Sequence, residues 1–425
     1  MIQSSHFLPL SPGVKRFLAT ESMYGLSIGM FTLILNLHLL DMGVSEKQIG
    51  LITSMGILVM GIFAIPVSIL AKKTGRKKLL VSGVGCLALG CSMFALAKSF
   101  ILFFVAQWIV SIGLTLVETT ETQLLFYYSG SKREETQAYS FMFAVFTAFT
   151  GVGTLLGGFL PHWIDLSGRG YQNTLLVTSG IFVLLACARG WLLPAEKQDA
   201  PLQEARPMEK KDPLLTKSRL TQSLKQKVLL FSLFAFLTGG AIACLQPYLN
   251  LFVKLRFGFS SESVSIILAL NGLALFIGSI MSPILINRWG IKRTFFSIYL
   301  VNIIFCFILY LNIPAVLFST LLVVRGGMFT MLTNLADSLS MSSFKDEERD
   351  LYAGMRAVFR SVGSALVAFI IGGILATNNY TLPFLLAGLM LLIGYIYFAY
   401  VLRAKYLESD QEYQINGQNE LPNEC

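Results

Sequence analysis

Two related stretches decide the fold class: SILAKKTGRKK at residues 68–78 and PILINRWGIKR at residues 283–293. Each follows an apolar segment and contains a glycine in a basic turn, and the two glycines, Gly75 and Gly290, are 215 positions apart. Five of the seven residues at 72–78 are Lys or Arg. Such a run could be a nuclear-import signal, a nucleic-acid-binding patch or a membrane-surface anchor, so the flanking sequence has to decide.

The flanking sequence is a series of apolar segments. Hydrophobic residues make up 54% of the 425 residues and charged residues only 13%, about half the charged fraction of a soluble domain. Twelve apolar runs reach the length of about 20 residues that a membrane-spanning helix needs. They are roughly residues 14–40, 48–71, 79–97, 100–122, 138–163, 172–194, 228–251, 261–286, 294–312, 314–338, 352–377 and 380–402. Backbone groups in lipid must find partners within their own segment, so we predict an all-α polytopic membrane protein with twelve transmembrane helices.

The distribution of Lys and Arg predicts the topology, because these residues collect in cytoplasmic loops. With the N-terminus inside, the inner segments carry 24 Lys and Arg and the outer loops carry 5. We therefore expect a multi-pass protein of the cell membrane with both termini in the cytoplasm. This bias also accounts for the net charge of +9 without a nucleic-acid partner.

The longest polar stretch divides the spans six and six. We predict an N-terminal six-helix bundle at 1–194, a cytoplasmic linker at 195–227, a C-terminal six-helix bundle at 228–405 and a disordered cytoplasmic tail at 406–425.

Two further matches support an internal repeat. The GG pair in GTLLGG (153–158) lies 215 positions before the GG pair in IGGIL (371–375). Glu118 and Glu121 lie 216 positions before Asn334 and Asp337. Matches at nearly one spacing, at corresponding points of two halves, predict two pseudo-symmetric bundles in parallel orientation.

Twelve spans in two halves, a long linker, and basic glycine loops after spans 2 and 8 resemble the major facilitator superfamily over about residues 14–405, and in particular its bacterial efflux members. LHLLDMGVSEKQIGLI at 37–52 is similar to the first external loop of that superfamily. The match is partial. Lys72 and Asn287 stand where the loop pattern has Asp. Gln107 stands where span 4 of many antiporters has Arg, and Thr154 stands where their span 5 has Pro.

The resemblance implies that spans 1, 4, 7 and 10 line a central cavity. Polar residues recur at helical spacing along these spans, for example from Glu21 to Asn36. Packing through small residues is the alternative explanation for the same pattern. The candidate substrate or cavity residues are Glu21, Asn36, Gln107, Gln246, Asn250, Arg325 and Asn334.

Ionisable residues at membrane depth are candidate functional groups. Arg325, about eleven residues into span 10, could hold an anionic substrate group, balance a proton-carrying acid, or form a structural pair. Glu21 could accept a proton, since burial disfavours its charged form, or pair with Lys15 or Arg16. We expect Arg189 to extend to the membrane boundary, and Arg356 and Arg360 to bind lipid phosphates or nearby acids rather than line the cavity mouth.

The basic loops are candidate gates. The resemblance implies that Arg76 meets an acid of span 4, here Glu118 or Glu121. It also implies a contact between the Lys72 position and the start of span 11, where the acidic segment KDEERD lies at 345–350. We predict an inverted lock in which Lys72 and Lys73 face this segment. The full set of candidate gating residues is Lys72, Lys73, Gly75, Arg76, Glu118, Glu121, Asn287, Arg288, Gly290 and Asp337.

Several chemistries have no support in the sequence. The three histidines have no metal-ligand spacing, no G-K-S/T motif is present for ATP, and no nucleophile–base pair is visible. We therefore predict a monomeric secondary transporter without cofactors, rather than an enzyme, that uses alternating access and exports a small solute in exchange for protons. The alternatives are a solute/proton symporter for uptake, or a lipid-translocating or sensor protein of the same fold.

Overall fold

The computed structural model describes residues 10–165, 168–196, 222–344 and 346–407. Within these ranges the chain is helical, with short turns between helices. The helices are α1 Pro12–Asp41, α2 Glu46–Thr74, α3 Arg76–Leu96, α4 Phe100–Tyr128, α5 Lys132–Trp163, α6 Gly170–Leu192, α7a Gln222–Ala243, α7b Leu249–Phe257, α8 Ser261–Trp289, α9 Ile291–Tyr310, α10 Ala315–Ser342, α11 Asp346–Leu375 and α12 Leu382–Tyr397.

Twelve helical segments in the described ranges are long and apolar enough to cross a membrane, so the predicted all-α fold with twelve spans is confirmed. Several helices extend past the predicted apolar runs. For example, α5 begins at Lys132 because the side chain of Ser131 accepts a hydrogen bond from the Glu134 N–H. A cap of this kind stabilises the first turn of a helix outside the apolar run.

The seventh span differs from the prediction of one continuous helix over 228–251. Two helices, α7a and α7b, are joined through a short 3₁₀ turn at Gln246–Tyr248. The α7a helix closes with hydrogen bonds from the Cys244 N–H to Gly240 O and from the Leu245 N–H to Ile242 O. Pro247, which has no N–H to continue the helical pattern, lies two positions after Leu245.

The two glycines of the repeated loops share one backbone conformation. Gly75 has φ +89° and ψ 139° before α3, and Gly290 has φ +78° and ψ 153° before α9. Side chains other than glycine rarely adopt this region. The local structure therefore explains why both loops carry glycine at this point.

The chain forms two compact units. The first contains α1–α6 together with Pro247–Phe276 and Phe369–Tyr380. Here α1 and α5 pack closely: a Cβ at Gly29 would clash with the Thr150 carbonyl, and one at Gly153 would clash with the Leu26 carbonyl. The glycines of α1 thus serve helix packing, which was the alternative explanation for that part of the polar pattern.

The second unit contains α7a, Ile277–Ala368 and residues 381–407. Its core is rich in aromatic rings. Phe295 lies 4.6 Å from Phe398 between ring centroids, and Phe344 stacks on Tyr352 at 4.3 Å. The predicted domain boundaries at 194, 227 and 405 remain predictions.

Candidate functional site

A buried ion pair joins α1 and α6. Arg189 Nη2 lies 2.6 Å from Glu21 Oε2, and the two residues are 0% and 1% exposed. The Arg189 guanidinium also lies over the rings of Tyr24, at 5.0 Å, and Phe17, at 5.5 Å. The expectation that Arg189 extends to the membrane boundary is therefore wrong, since the side chain turns into the protein toward a carboxylate.

The N-terminal cations predicted as alternative partners of Glu21 do not take that role. Arg16 donates instead to the Leu192 carbonyl, at 3.4 Å. Arg189 lies 168 positions from Glu21 in the sequence, so no local pattern connects the two.

Two acids of α4 complete a cluster around this pair. Glu121 interacts electrostatically with Glu21, Arg189 and Glu118. Its Oε2 is buried without a hydrogen-bond partner among the described residues, and so are Arg189 Nε and Nη1. Arg189 therefore faces the carboxyl groups of Glu21 and Glu121, and Glu118 adds a third carboxyl group that interacts with Glu121. Two like charges 5 Å apart repel by about 3 kcal/mol at an effective dielectric constant of about 20, so binding a proton or cation would stabilise the cluster.

The predicted contact of Arg76 with Glu118 or Glu121 is wrong. Arg76 Nε donates to Gln123 Oε1 at 3.0 Å, and Arg76 Nη1 lies 3.7 Å from Glu196 Oε1. Gln123 is two positions from Glu121 and therefore points to a different face of α4. The acids of α4 instead belong to the cluster around Arg189.

The segment that follows α6 is held by three helices. Glu196 Oε2 accepts a hydrogen bond from the Lys77 N–H at 3.1 Å, at the N-terminal end of α3, where a carboxylate is favourable. The other hydrogen bonds run from Arg16 to Leu192 O, from Lys77 Nζ to Leu193 O at 2.6 Å and from Tyr128 to Pro194 O at 2.8 Å.

Arg325 is a buried cation of a different kind. It is 5% exposed, and its Nε and Nη2 are buried without a hydrogen-bond partner in the described ranges. The guanidinium lies 4.7 Å from the centroid of the Phe329 ring, and it interacts electrostatically with Cys244 at the end of α7a. A buried cation with free donors is costly unless an anion approaches it.

The two arginines of α11 both meet Asp337 of α10. Arg356 forms an ion pair with Asp337 Oδ2, and Arg360 Nη1 lies 3.4 Å from the same oxygen. Pairing with a nearby acid, one of the two roles favoured from the sequence, is thus confirmed for these arginines.

Asn36 and Asn250, two predicted cavity residues, contact each other. Asn36 Nδ2 donates to Asn250 Oδ1 at 3.2 Å and to the Pro247 carbonyl at 2.8 Å. Asn250 Nδ2 donates in turn to the Leu33 carbonyl at 2.8 Å. The break in the seventh span therefore brings the start of α7b against α1.

Further contacts close the same end of the first unit. Gly158 of α5 lies against Ser265 of α8, where a Cβ would clash. Lys254 Nζ donates to the Tyr171 hydroxyl at 2.6 Å, linking α7b to α6. Gly372 lies against the backbone of Gly50 in the same way.

The remaining predicted residues have fewer contacts. Gln107 donates to Ser111 Oγ at 3.2 Å. The side chain of Lys72 lies outside the described residues, as do those of Asp346, Glu347 and Asp350, so the inverted lock stays a prediction. The exposed candidates are Lys73, Glu118, Gln246, Asn287, Arg288, Gly290 and Asn334.

Comparisons with known proteins agree with this architecture. Residues 17–367 and 231–420 match the family model described as Major Facilitator Superfamily. Multidrug resistance protein 2 of Bacillus subtilis (strain 168) is 21% identical over 327 residues, which cover 75% of this chain and 78% of the relative. The gallate transporter of Pseudomonas putida is 31% identical over 158 residues, 36% of this chain and 33% of the relative. The crystal structure of the nucleoside transporter NupG superimposes with a TM-score of 0.74 at 13% identity, covering 91% of this chain and 98% of that one.

Proposed function

Because the chain belongs to the major facilitator superfamily, a family of membrane transporters, we propose that it exports a small solute by alternating access, driven by protons. The observation that carries this proposal is the buried group of Glu21, Arg189 and Glu121. Ionisable residues at membrane depth are rare and typical of proton pathways. A cluster with more carboxyl groups than cations can bind and release a proton with little rearrangement.

Alternating access requires contacts that form in one state and break in another. We propose that the Asn36–Asn250 contact, together with the Gly158–Ser265 approach, forms an outer gate. Its place at the outer side follows from the predicted topology, in which the loops at this end carry few Lys and Arg. Opening would exchange these hydrogen bonds for contacts with water.

Arg325 supports a role in substrate binding. Its free Nε and Nη2 could pair with a carboxylate or phosphate on the solute. The Phe329 ring beneath the guanidinium holds it in place through a cation–π interaction. We therefore propose that transported solutes include an anionic group.

The direction of transport is proposed as export because the multidrug resistance relative matches most of the chain. Uptake by solute/proton symport is the second candidate. Two observations favour it. One is the similarity to a gallate transporter, in an alignment that covers about a third of that relative. The other is the guanidinium of Arg325, which has free donors.

Vesicle transport tests both directions. Everted and right-side-out vesicles containing the protein would be given a panel of solutes while a pH-sensitive dye reports proton movement. Export predicts that a solute drives protons out of everted vesicles as it enters, whereas symport predicts that solute and protons move the same way. Vesicles with an E135Q variant, which removes an acid paired with the exposed Lys132, should behave like wild type. If no solute on the panel is carried in either direction, the transporter proposal fails.

A further inference from the structure

Arg189 has more hydrogen-bond donors than Glu21 uses. Nη2 donates to Glu21 Oε2, while Nε and Nη1 are buried without a partner within the described part of the chain. A guanidinium is a planar fork with five N–H donors and can bind two carboxylates at once. The free side of this fork is therefore available to a second acid.

Glu121 is the acid with matching capacity. Its Oε2 is buried and has no hydrogen-bond partner among described residues, and the residue interacts electrostatically with Arg189 and Glu21. A buried carboxylate oxygen without a donor is unfavourable, whereas a protonated carboxyl in the same place carries no charge. The observed arrangement fits a state in which Glu21 is charged and Glu121 is neutral.

Among the described residues, few ionisable groups interact within this cluster. The helix α1 contributes Glu21 and Tyr24, α4 contributes Glu118 and Glu121, and α6 contributes Arg189. From α5, the aromatic ring of Phe146 packs on Tyr24 at 5.6 Å between centroids. Glu118 has an exposed side chain, and its interactions in the cluster are with Glu121 and Tyr24.

We propose that Glu121 is the proton-binding carboxyl of this protein and that Arg189 is a switch between Glu21 and Glu121. With the proton on Glu121, Arg189 pairs with Glu21 alone. When the O–H bond of Glu121 breaks and the proton passes to water, the new carboxylate takes the free Nε and Nη1 donors of Arg189. The cation is then shared between α1 and α4, which changes how these helices are held together.

This inference rests on the proposed proton-driven transport and assigns its proton site. It also gives Glu21 a different role from the one predicted: Glu21 positions Arg189, and Glu121 carries the proton. The two roles can be separated by experiment because only Glu121 should change its protonation state during transport.

Infrared difference spectroscopy of the purified full chain, titrated from about pH 5 to about pH 9, the range into which burial moves carboxyl groups, tests the assignment. The wild-type protein should show a protonated-carboxyl band that disappears as the pH rises. This band should be lost in E121Q, shifted in E121D, and retained in E118Q and E135Q. In E21Q the band should titrate at lower pH, since Arg189 is then free to stabilise the Glu121 carboxylate.

Several results would overturn the inference: a band that persists in E121Q, a wild-type protein with no such band in this range, or an E21Q titration identical to that of wild type. Vesicle measurements separate this failure from failure of the proposed function. Proton-driven transport should fall by about tenfold or more in E121Q. Undiminished proton-driven transport in E121Q would refute the proposed switch but not the proposed transport. A titrating band in a protein that transports no solute would instead refute the proposed function.

Discussion

Replacing Glu21 by Gln should destabilise the protein through an uncompensated buried charge. Breaking a buried ion pair by removing one partner costs about 3–5 kcal/mol. Arg189 is 0% exposed, so water cannot take over from the missing carboxylate. The rings of Phe17 and Tyr24 remain, and Glu121 is near enough to supply part of the lost attraction. We therefore expect a loss at or just below the lower limit of that range, about 2–3 kcal/mol.

Thermal unfolding in detergent measures this loss. About 1 kcal/mol corresponds to about 2–4 °C in Tm for a unit of 150–250 residues, so E21Q should melt about 5–10 °C below wild type. The control is E135Q, because Glu135 pairs with a Lys132 side chain that is 90% exposed. An exposed pair of this kind contributes less than about 1 kcal/mol, so E135Q should melt close to wild type.

A double variant tests the cause of the loss. Removing both charges, in E21Q/R189M, leaves no unpaired buried ion and should restore much of the lost stability. A Tm of E21Q within about 2 °C of wild type would refute the reasoning, because that shift corresponds to less than about 1 kcal/mol. So would a double variant that is as unstable as the sum of its single variants.

Three other substitutions have defined outcomes. N250L removes the hydrogen bonds from Asn250 to α1. It should make a cysteine placed at Thr32 react about tenfold faster with an impermeant thiol reagent added outside, since each lost bond weakens closure by about 1 kcal/mol. An unchanged rate would show that the contact is no gate. G290A should lower the free energy of unfolding by about 1–3 kcal/mol. The cause is the positive φ of Gly290 alone, because a Cβ there meets nothing within 4 Å. The control G272A lies within a helix and also in open space, so it should melt no lower than wild type. R325M should reduce transport of carboxylate solutes by about tenfold and spare neutral solutes, and equal loss for both would indicate a structural role.

The fold could be predicted from the sequence because the membrane imposes strong constraints. A span needs about 20 apolar residues and internal hydrogen bonds, and both requirements are visible in one sequence. The glycine loops at Gly75 and Gly290 could be matched because backbone conformation limits the residue type there. The break in the seventh span had a local signal in Pro247, which the apolar composition around it concealed.

The candidate site was predicted only in part, because its contacts join residues far apart in the chain. Glu21 and Asn36 were identified from their polar character in an apolar helix. Their partners were not, since Arg189 lies at the end of an apolar run where arginines usually extend to the boundary. Which face of α4 carries Glu121 also depends on helix rotation, which the sequence pattern did not determine.

The anchoring of the α6 exit has a mechanical consequence. Glu196 is fixed at the start of α3, and the next described helix begins at Gln222. This end of the chain is fixed to α1, α3 and α4 by hydrogen bonds, so it must move together with these helices. A force that reaches Glu196 from the chain beyond it is therefore passed to the start of α3 and is not carried by α6 alone.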